Sequence, residues 1–180
     1  MTNDKQCTKQ LVVNIAQQTL TVYQRNKEVT QYKVSTAKNG IGSQQDSGCT
    51  PLGQHVIAEK IGGNAAINAV FIGRVLTGEL YDAELGRLHP ERDWILSRIL
   101  WLSGLEAGVN KGRNSQGGCD THQRYIYIHG TPDTEPMGVP LSHGCVRMRN
   151  KDIVDLFEEV DEGTPVSVIS GVNGITDTIE

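Results

Sequence analysis

The chain has 180 residues and a formal charge of −4 at pH 7, from 17 basic and 21 acidic side chains. That balance argues against a binder of phosphate backbones, which needs clustered Lys and Arg to displace counterions. With 37% apolar residues, 5% aromatic residues and 20 glycines, the composition fits strands and turns around an aliphatic core, not a disordered chain or a helical bundle.

The opening residues show no charged start followed by a continuous apolar run, so no export leader is expected. The apolar stretches Ala65–Ile72 and Trp94–Leu102 are too short to span a bilayer. The expectation is a cytoplasmic protein without a membrane partner, or a periplasmic one if a leader has been trimmed. The first sixty residues then read as antiparallel strands. Leu11, Val13 and Ile15 alternate with Val12 and Asn14, and Gln17-Gln18 turns the chain into Thr19–Gln24, with Leu20 and Val22 on one face. A polar turn at Arg25-Asn26-Lys27 leads into a strand over Glu28–Ala37. A Gly/Ser/Gln loop over Gly40–Gly48 closes at Thr50-Pro51-Leu52-Gly53, and another strand is expected near Gln54–Lys60.

From Asp93 the pattern changes. Asp93 reads as an N-cap and Gly104 as a stop, with Ile95, Ile99 and Leu102 on one helical face, so a core-packed helix is expected there. Arg124–His129 alternates again and delivers His129 at a strand end. Asn150 reads as the cap of a helix carrying Ile153, Val154, Phe157 and Val160, Gly163 ends it, and Thr164–Ile169 forms a late strand. The organisation is one mostly-β domain over 1–180. It has strands over 9–72, a partly helical insertion over 73–123, and a segment over 124–170 that holds the chemistry and the closing helix and strand.

Four cysteines, Cys7, Cys49, Cys119 and Cys145, are too scattered for a disulfide scaffold, and no Cys-x-x-Cys occurs. Cys145 stands apart because of its company. Ile128-His129-Gly130-Thr131-Pro132 is followed, after a Gly/Pro-containing segment, by Leu141-Ser142-His143-Gly144-Cys145-Val146-Arg147-Met148. A cysteine nucleophile reacts as thiolate, and a nearby imidazole can take its proton. Amides around Gly144 and Cys145 could bind a developing oxyanion. Arg147 is suited to a substrate carboxylate, which a guanidinium binds through two bonds. A mixed Cys/His metal site on His129, His143 and Cys145 lacks a fourth ligand at any recognisable spacing, so no metal is expected. Cys49 and Cys119 lie in Gly-rich loops that could approach the site.

His129-Gly130-Thr131 and Ser142-His143-Gly144-Cys145-Val146-Arg147-Met148 together resemble the active-site signature of the L,D-transpeptidase catalytic (YkuD) domain. Leu11–Ala37, Thr50-Pro51-Leu52-Gly53 and Asp152–Ile169 resemble that domain's opening strands, its Thr-Pro-x-Gly element and its closing helix and strand. The resemblance implies a β-sandwich or barrel with short helices. It implies that Cys145 is the acyl-accepting nucleophile and His129 the general base, oriented by the carbonyl of Gly130. His143, Gly144 and Cys145 would supply oxyanion amides, and Ser142 and Arg147 would support the loop or touch substrate. The implied partner is a peptidoglycan stem tetrapeptide or muropeptide, with no cofactor, no nucleic acid, and carbapenem inhibition as a corollary. Without a leader, hydrolysis to the tripeptide, an L,D-carboxypeptidase reaction of murein recycling, is expected ahead of cross-linking or D-amino-acid exchange. A non-catalytic peptidoglycan-binding domain is the alternative of a different class.

Overall fold

Alternating aliphatic side chains build the first layer of the computed structural model, which describes residues 9–171. Cys7 lies outside these residues. Leu11, Val13, Leu20 and Val22 are fully buried because strand periodicity sends them to one face. They belong to β1 (Lys9–Asn14) and β2 (Thr19–Gln24), which pair antiparallel with β3 (Lys27–Lys33) beyond. The third strand is shorter than the expected Glu28–Ala37. After Lys33 the chain leaves β2, and the Ser35 N–H donates to the Arg147 carbonyl at 2.9 Å.

Next come β4 (Gly53–Ile61), the hairpin of β5 (Ala69–Ile72) and β6 (Val75–Leu80), and a short helix α1 (Ala83–Leu88) capped by Asp82. Then the expectation fails: the segment read as a helix from Asp93 is the strand β7 (Ile95–Gly104). Both faces of this strand are covered, so its apolar run is nearly continuous and carries no period-2 signal. β7 pairs with β10 (Tyr127–Thr131) along one edge and with β4 and, beyond it, β5 along the other, so part of the 73–123 stretch lies at the centre of the sheet. The loop after it holds the small ladder of β8 (Arg113–Asn114) and β9 (Gly117–Gly118). Buried Asn110 ties that loop down through bonds to the Leu52 and Gln54 carbonyls.

The remaining elements are β11 (Val146–Arg149), α2 (Asn150–Glu159) and β12 (Pro165–Ile169). The sheet runs β11-β10-β7-β4-β12-β1-β2-β3. It curls until the stretch after β3 bridges back to the far edge, Ser35 to Arg147 and Ala37 to Ser142. Helix α2 covers its interior with Ile153, Leu156 and Phe157, which join Leu11, Leu100, Ile128 and Met148 in one cluster. Asn150 is the first helical residue, not the cap. Its buried side chain accepts from Ser97 Oγ at 2.6 Å and donates to the Thr131 carbonyl at 2.8 Å. It thereby ties α2 to β7 and to the strand that carries His129.

Candidate active site

The parallel pair β10 and β11 sets the site. His129 is in register with Arg147 and Ile128 with Val146, so Cys145 arrives at the start of β11, one strand away from the imidazole. Ladder irregularity between His129 and Gly130 coincides with Ser97, held at φ 67° on β7. Such a bulge re-aims side chains beside a site. Gly130 is required by close approach: a Cβ there would stand 2.5 Å from the Leu96 carbonyl and 2.6 Å from Asn150 Oδ1.

His129 is buried, and its Nδ1 lies 2.7 Å from the Gly130 carbonyl. A carbonyl oxygen only accepts, so Nδ1 carries the hydrogen and Nε2 keeps its lone pair. Burial lowers the pKa of the ring, against the raising effects of the Asp93 carboxylate and the Gly130 bond, with Arg147 adding to the fall. The ring is therefore neutral at neutral pH.

Cys145 is half-buried at the cleft floor. Its sulfur accepts from the Tyr127 N–H at 3.3 Å, and its S–H donates to the Tyr125 carbonyl at 3.4 Å. Burial pushes the thiol up to about 12; the Tyr127 amide works against this and the Asp93 charge with it. In this resting geometry the thiol is satisfied by the main chain of the neighbouring strand, and no hydrogen bond to His129 is formed among the described residues.

The loop before Cys145 is braced from several sides. Gly144 sits at φ 138°, and a Cβ there would meet Ile126 at 3.1 Å and the Cys49 carbonyl at 3.3 Å. Thr50, from the Thr-Pro-x-Gly element, donates its hydroxyl to the Gly144 carbonyl at 2.9 Å. Ser142 is buried, donating to the Cys145 carbonyl and accepting from the Gly144 N–H at 3.2 Å. That bond commits the Gly144 amide to the loop, although the sequence suggested it for an oxyanion.

Arg147 also differs from expectation. Its Nη2 donates to Asp93 Oδ1 at 2.7 Å, and His143 Nδ1 stands 3.6 Å from Asp93 Oδ2. The guanidinium is thus paired within the protein instead of open to a substrate carboxylate. Burial acts to raise the Asp93 pKa, but the charge of His129 when it is protonated, together with the charge and hydrogen bond of Arg147, outweighs it and holds the carboxyl below its usual range. Sequence reasoning missed Asp93 as a site residue. An acid just before a buried run was the available signal, and it equally suits a helix cap.

Cys145, Ser142, His143 and Arg147 line one cleft of about 540 Å³, and Asp93, Arg74, Arg124 and Tyr127 complete its walls. The latter residues carry no local motif and come together only through the sheet. Cys119 is buried with its thiol on the Lys111 and Gly112 carbonyls, away from the cleft. The Cys49 carbonyl accepts from Arg124 at 2.7 Å, so its backbone, not its thiol, braces the site. Among the described residues no group of His, Cys, Asp and Glu is arranged to hold a metal ion, and no helix is long and apolar enough to cross a membrane.

Comparison with known proteins follows the same geography. A family model for the L,D-transpeptidase catalytic domain matches residues 8–168. The "Probable L,D-transpeptidase YbiS" of Escherichia coli is 52% identical over 46 residues, 26% of this chain and 15% of that protein. The YkuD protein of Bacillus subtilis is 34% identical over 65 residues, covering 33% of this chain and 40% of that one. Among solved structures, Bd1075 of Bdellovibrio bacteriovorus matches with a TM-score of 0.57 at 17% identity, over 96% of this chain and 52% of that chain. L,D-transpeptidase 3 of Mycobacterium tuberculosis matches with a TM-score of 0.53 at 17% identity, over 91% and 61%. LdtMt1, solved in complex with imipenem, matches with a TM-score of 0.52 at 19% identity, over 90% and 59%. The alignments therefore span less than two thirds of each relative, and the structural ones speak for the fold.

Proposed function

The chain belongs to the L,D-transpeptidase catalytic-domain family, and from that premise we propose that it transfers acyl groups at the L,D bond of peptidoglycan stem tetrapeptides through a thioester on Cys145. The observation that carries this reading is a cleft-lining thiol at the head of β11 beside the neighbouring strand β10, which carries a buried, neutral imidazole. Substrate entering the cleft displaces the thiol from the Tyr125 carbonyl. His129 Nε2 takes the S–H proton as the sulfur attacks the carbonyl carbon of the L-centre. Negative charge on the carbonyl oxygen is met by main-chain amides of the His143–Cys145 turn, that of Cys145 first, since the Gly144 N–H is held by Ser142. The imidazolium returns its proton to the departing amine of D-alanine, the C–N bond breaks, and a thioester remains. Asp93 lies near enough to favour the charged ring while it exists.

Water is the acceptor we propose: His129 deprotonates it, the thioester breaks, and the tripeptide leaves with Cys145 restored. The role that follows is an L,D-carboxypeptidase of murein recycling, acting in the cytoplasm. A strained β-lactam carbonyl would acylate the same sulfur, which makes carbapenems expected inhibitors.

Mass spectrometry of disaccharide-tetrapeptide incubated with the protein, with and without a D-amino acid, tests the assignment against a Cys145→Ala control. Loss of one D-alanine to give tripeptide, absent in the control, is the expected result. Exchange or cross-linking without tripeptide overturns the hydrolytic reading in favour of transpeptidation, and no turnover at all overturns the enzymatic one.

A further inference from the structure

Three guanidinium groups, of Arg74, Arg124 and Arg147, line the cleft against one carboxylate, Asp93, and that acid is spent on Arg147. The excess is local, because the whole chain carries a charge of −4. A cleft of one sign in a protein of the other concentrates ligands of opposite charge. Arg124 gives its donors to neutral acceptors, the Gly42 and Cys49 carbonyls and Ser47 Oγ, and serves to brace the loops. Arg74 is different in both its backbone and its side chain.

Arg74 occupies the tip of the β5–β6 hairpin. Ile72 pairs with Val75, so Gly73 and Arg74 form a two-residue turn, with φ of 53° and 67°. A turn of this kind favours Asn or Gly at its second position, yet an arginine is held there in the left-handed region. Its guanidinium lies 4.7 Å from the Trp101 ring centre and 4.8 Å from that of Tyr125, and Nη1 donates to the Tyr127 hydroxyl at 3.0 Å. No carboxylate lies within ion-pair distance of it among the described residues. Glu59, an acid whose charge reaches it, contacts His122 at 3.3 Å. The aromatic faces thus fix a planar fork whose other N–H groups remain for a ligand, and a fork of that shape matches a carboxylate through two bonds.

The distance to the nucleophile selects which carboxylate. Tyr127 touches the Cys145 sulfur with its backbone N–H and Arg74 with its hydroxyl, so one tyrosine side chain separates the two. The carboxylate of the departing residue is too close to the scissile carbonyl to span that gap. A carboxylate at the far end of a long side chain on the acyl-donor residue spans it.

On the reading of the site given above, we infer that Arg74 is a specificity residue. It anchors the side-chain carboxylate of an acidic diamino acid on the acyl side of the scissile bond, and so selects donor peptides in which that carboxylate is free. The test uses three synthetic tetrapeptides that differ only at this residue: the free diamino diacid, its side-chain amide, and lysine. D-Alanine release is followed for the wild type, Arg74→Gln and Arg74→Lys, with kcat and KM resolved. The wild type is expected to prefer the acid over the amide by roughly 10- to 100-fold in kcat/KM, carried mainly by KM, the range of a charge-assisted bond. Arg74→Gln should collapse that ratio to within about threefold, and Arg74→Lys should recover part of it. Brisk turnover of acid and amide at equal efficiency overturns the inference while leaving the proposed reaction standing. An acid preference that survives in Arg74→Gln overturns it too, and makes Arg74 a support for Trp101 and Tyr127. Absence of D-alanine release from every peptide refutes the reaction itself, and the inference falls with it.

Discussion

A thiol held near 12 makes a quantitative claim about the resting protein: Cys145 is a thiol, and its proton leaves only as it reacts. An ordinary cysteine, with a pKa near 8.5, is about one-quarter thiolate at pH 8; at 12 the thiolate fraction is on the order of 10⁻⁴. A more basic thiolate is also a better nucleophile, with a Brønsted slope of about 0.4–0.5, which recovers a factor of roughly 40 over that span. The net expectation is alkylation on the order of 10² slower than for the same cysteine in the unfolded chain. Cys145 is only half-buried, which moderates the effect of burial, so slowing of about tenfold is the least that fits. Pulsed iodoacetamide labelling between pH 6 and 10, quantified on the Cys145 peptide and referenced to protein in guanidinium, measures it directly. The folded rate should rise about tenfold per pH unit with no plateau below pH 9. A plateau near neutral pH, or folded and unfolded rates within about twofold of one another at pH 7, would refute the argument. The plateau would mean that Cys145 and His129 rest as a thiolate–imidazolium pair, with the proton already transferred; equal rates would mean that burial leaves the thiol at its ordinary pKa.

Three further expectations follow from other groups. Removing the Asp93 charge by Asp93→Asn should lower kcat/KM roughly 5- to 30-fold, for about 1–2 kcal/mol in a partly exposed pair. Because Asp93 raises the His129 pKa, the acid limb of the pH–rate profile should move to lower pH, and an unmoved limb would show that the imidazole does not feel this charge. His55 is fully buried, and burial lowers its pKa from 6.5 to about 4. The unfolded chain therefore binds the extra proton first, and stability is lost as pH falls from about 6.5 to about 4, by about 3 kcal/mol in all. Urea titrations at pH 7 and pH 4 should show that loss, and His55→Asn should shrink it; an equal loss in the variant would place the acid sensitivity elsewhere. Gly130→Ala forces a methyl against the Leu96 carbonyl and Asn150, at about 2–3 kcal/mol, which calorimetry should register as a fall of roughly 5–10 °C in Tm. An unchanged Tm would mean that β7 and α2 yield freely at this point.

The legible parts of the protein were those whose signal is local. Alternation marked β1 and β2 because one face of that pair meets the core, with Leu11, Val13, Leu20 and Val22 all fully buried. The clustering of His129-Gly130 with Ser142–Met148 marked the candidate site, since thiol, imidazole and turn-forming glycine fall within a short stretch of chain. β7 was misread because a strand covered on both faces shows only a short apolar run, which a buried helix shows equally well. Asn150 was misread for a related reason: its polar side chain suits a cap, but the tertiary fold offered Ser97 and Thr131 as partners.

The sequence by itself determined the mostly-β class and the family resemblance, and it singled out Cys145 and His129 as candidates, because periodicity and short-range residue chemistry are written along the chain. Only the tertiary structure decided the state of those groups. The curl of the sheet brings Asp93 from before β7 onto Arg147 and His143, and Arg74 from a hairpin tip onto the rings beside Cys145. Protonation, charge pairing and cleft shape depend on neighbours far apart in the chain, and packing of the sheet alone brings those neighbours together.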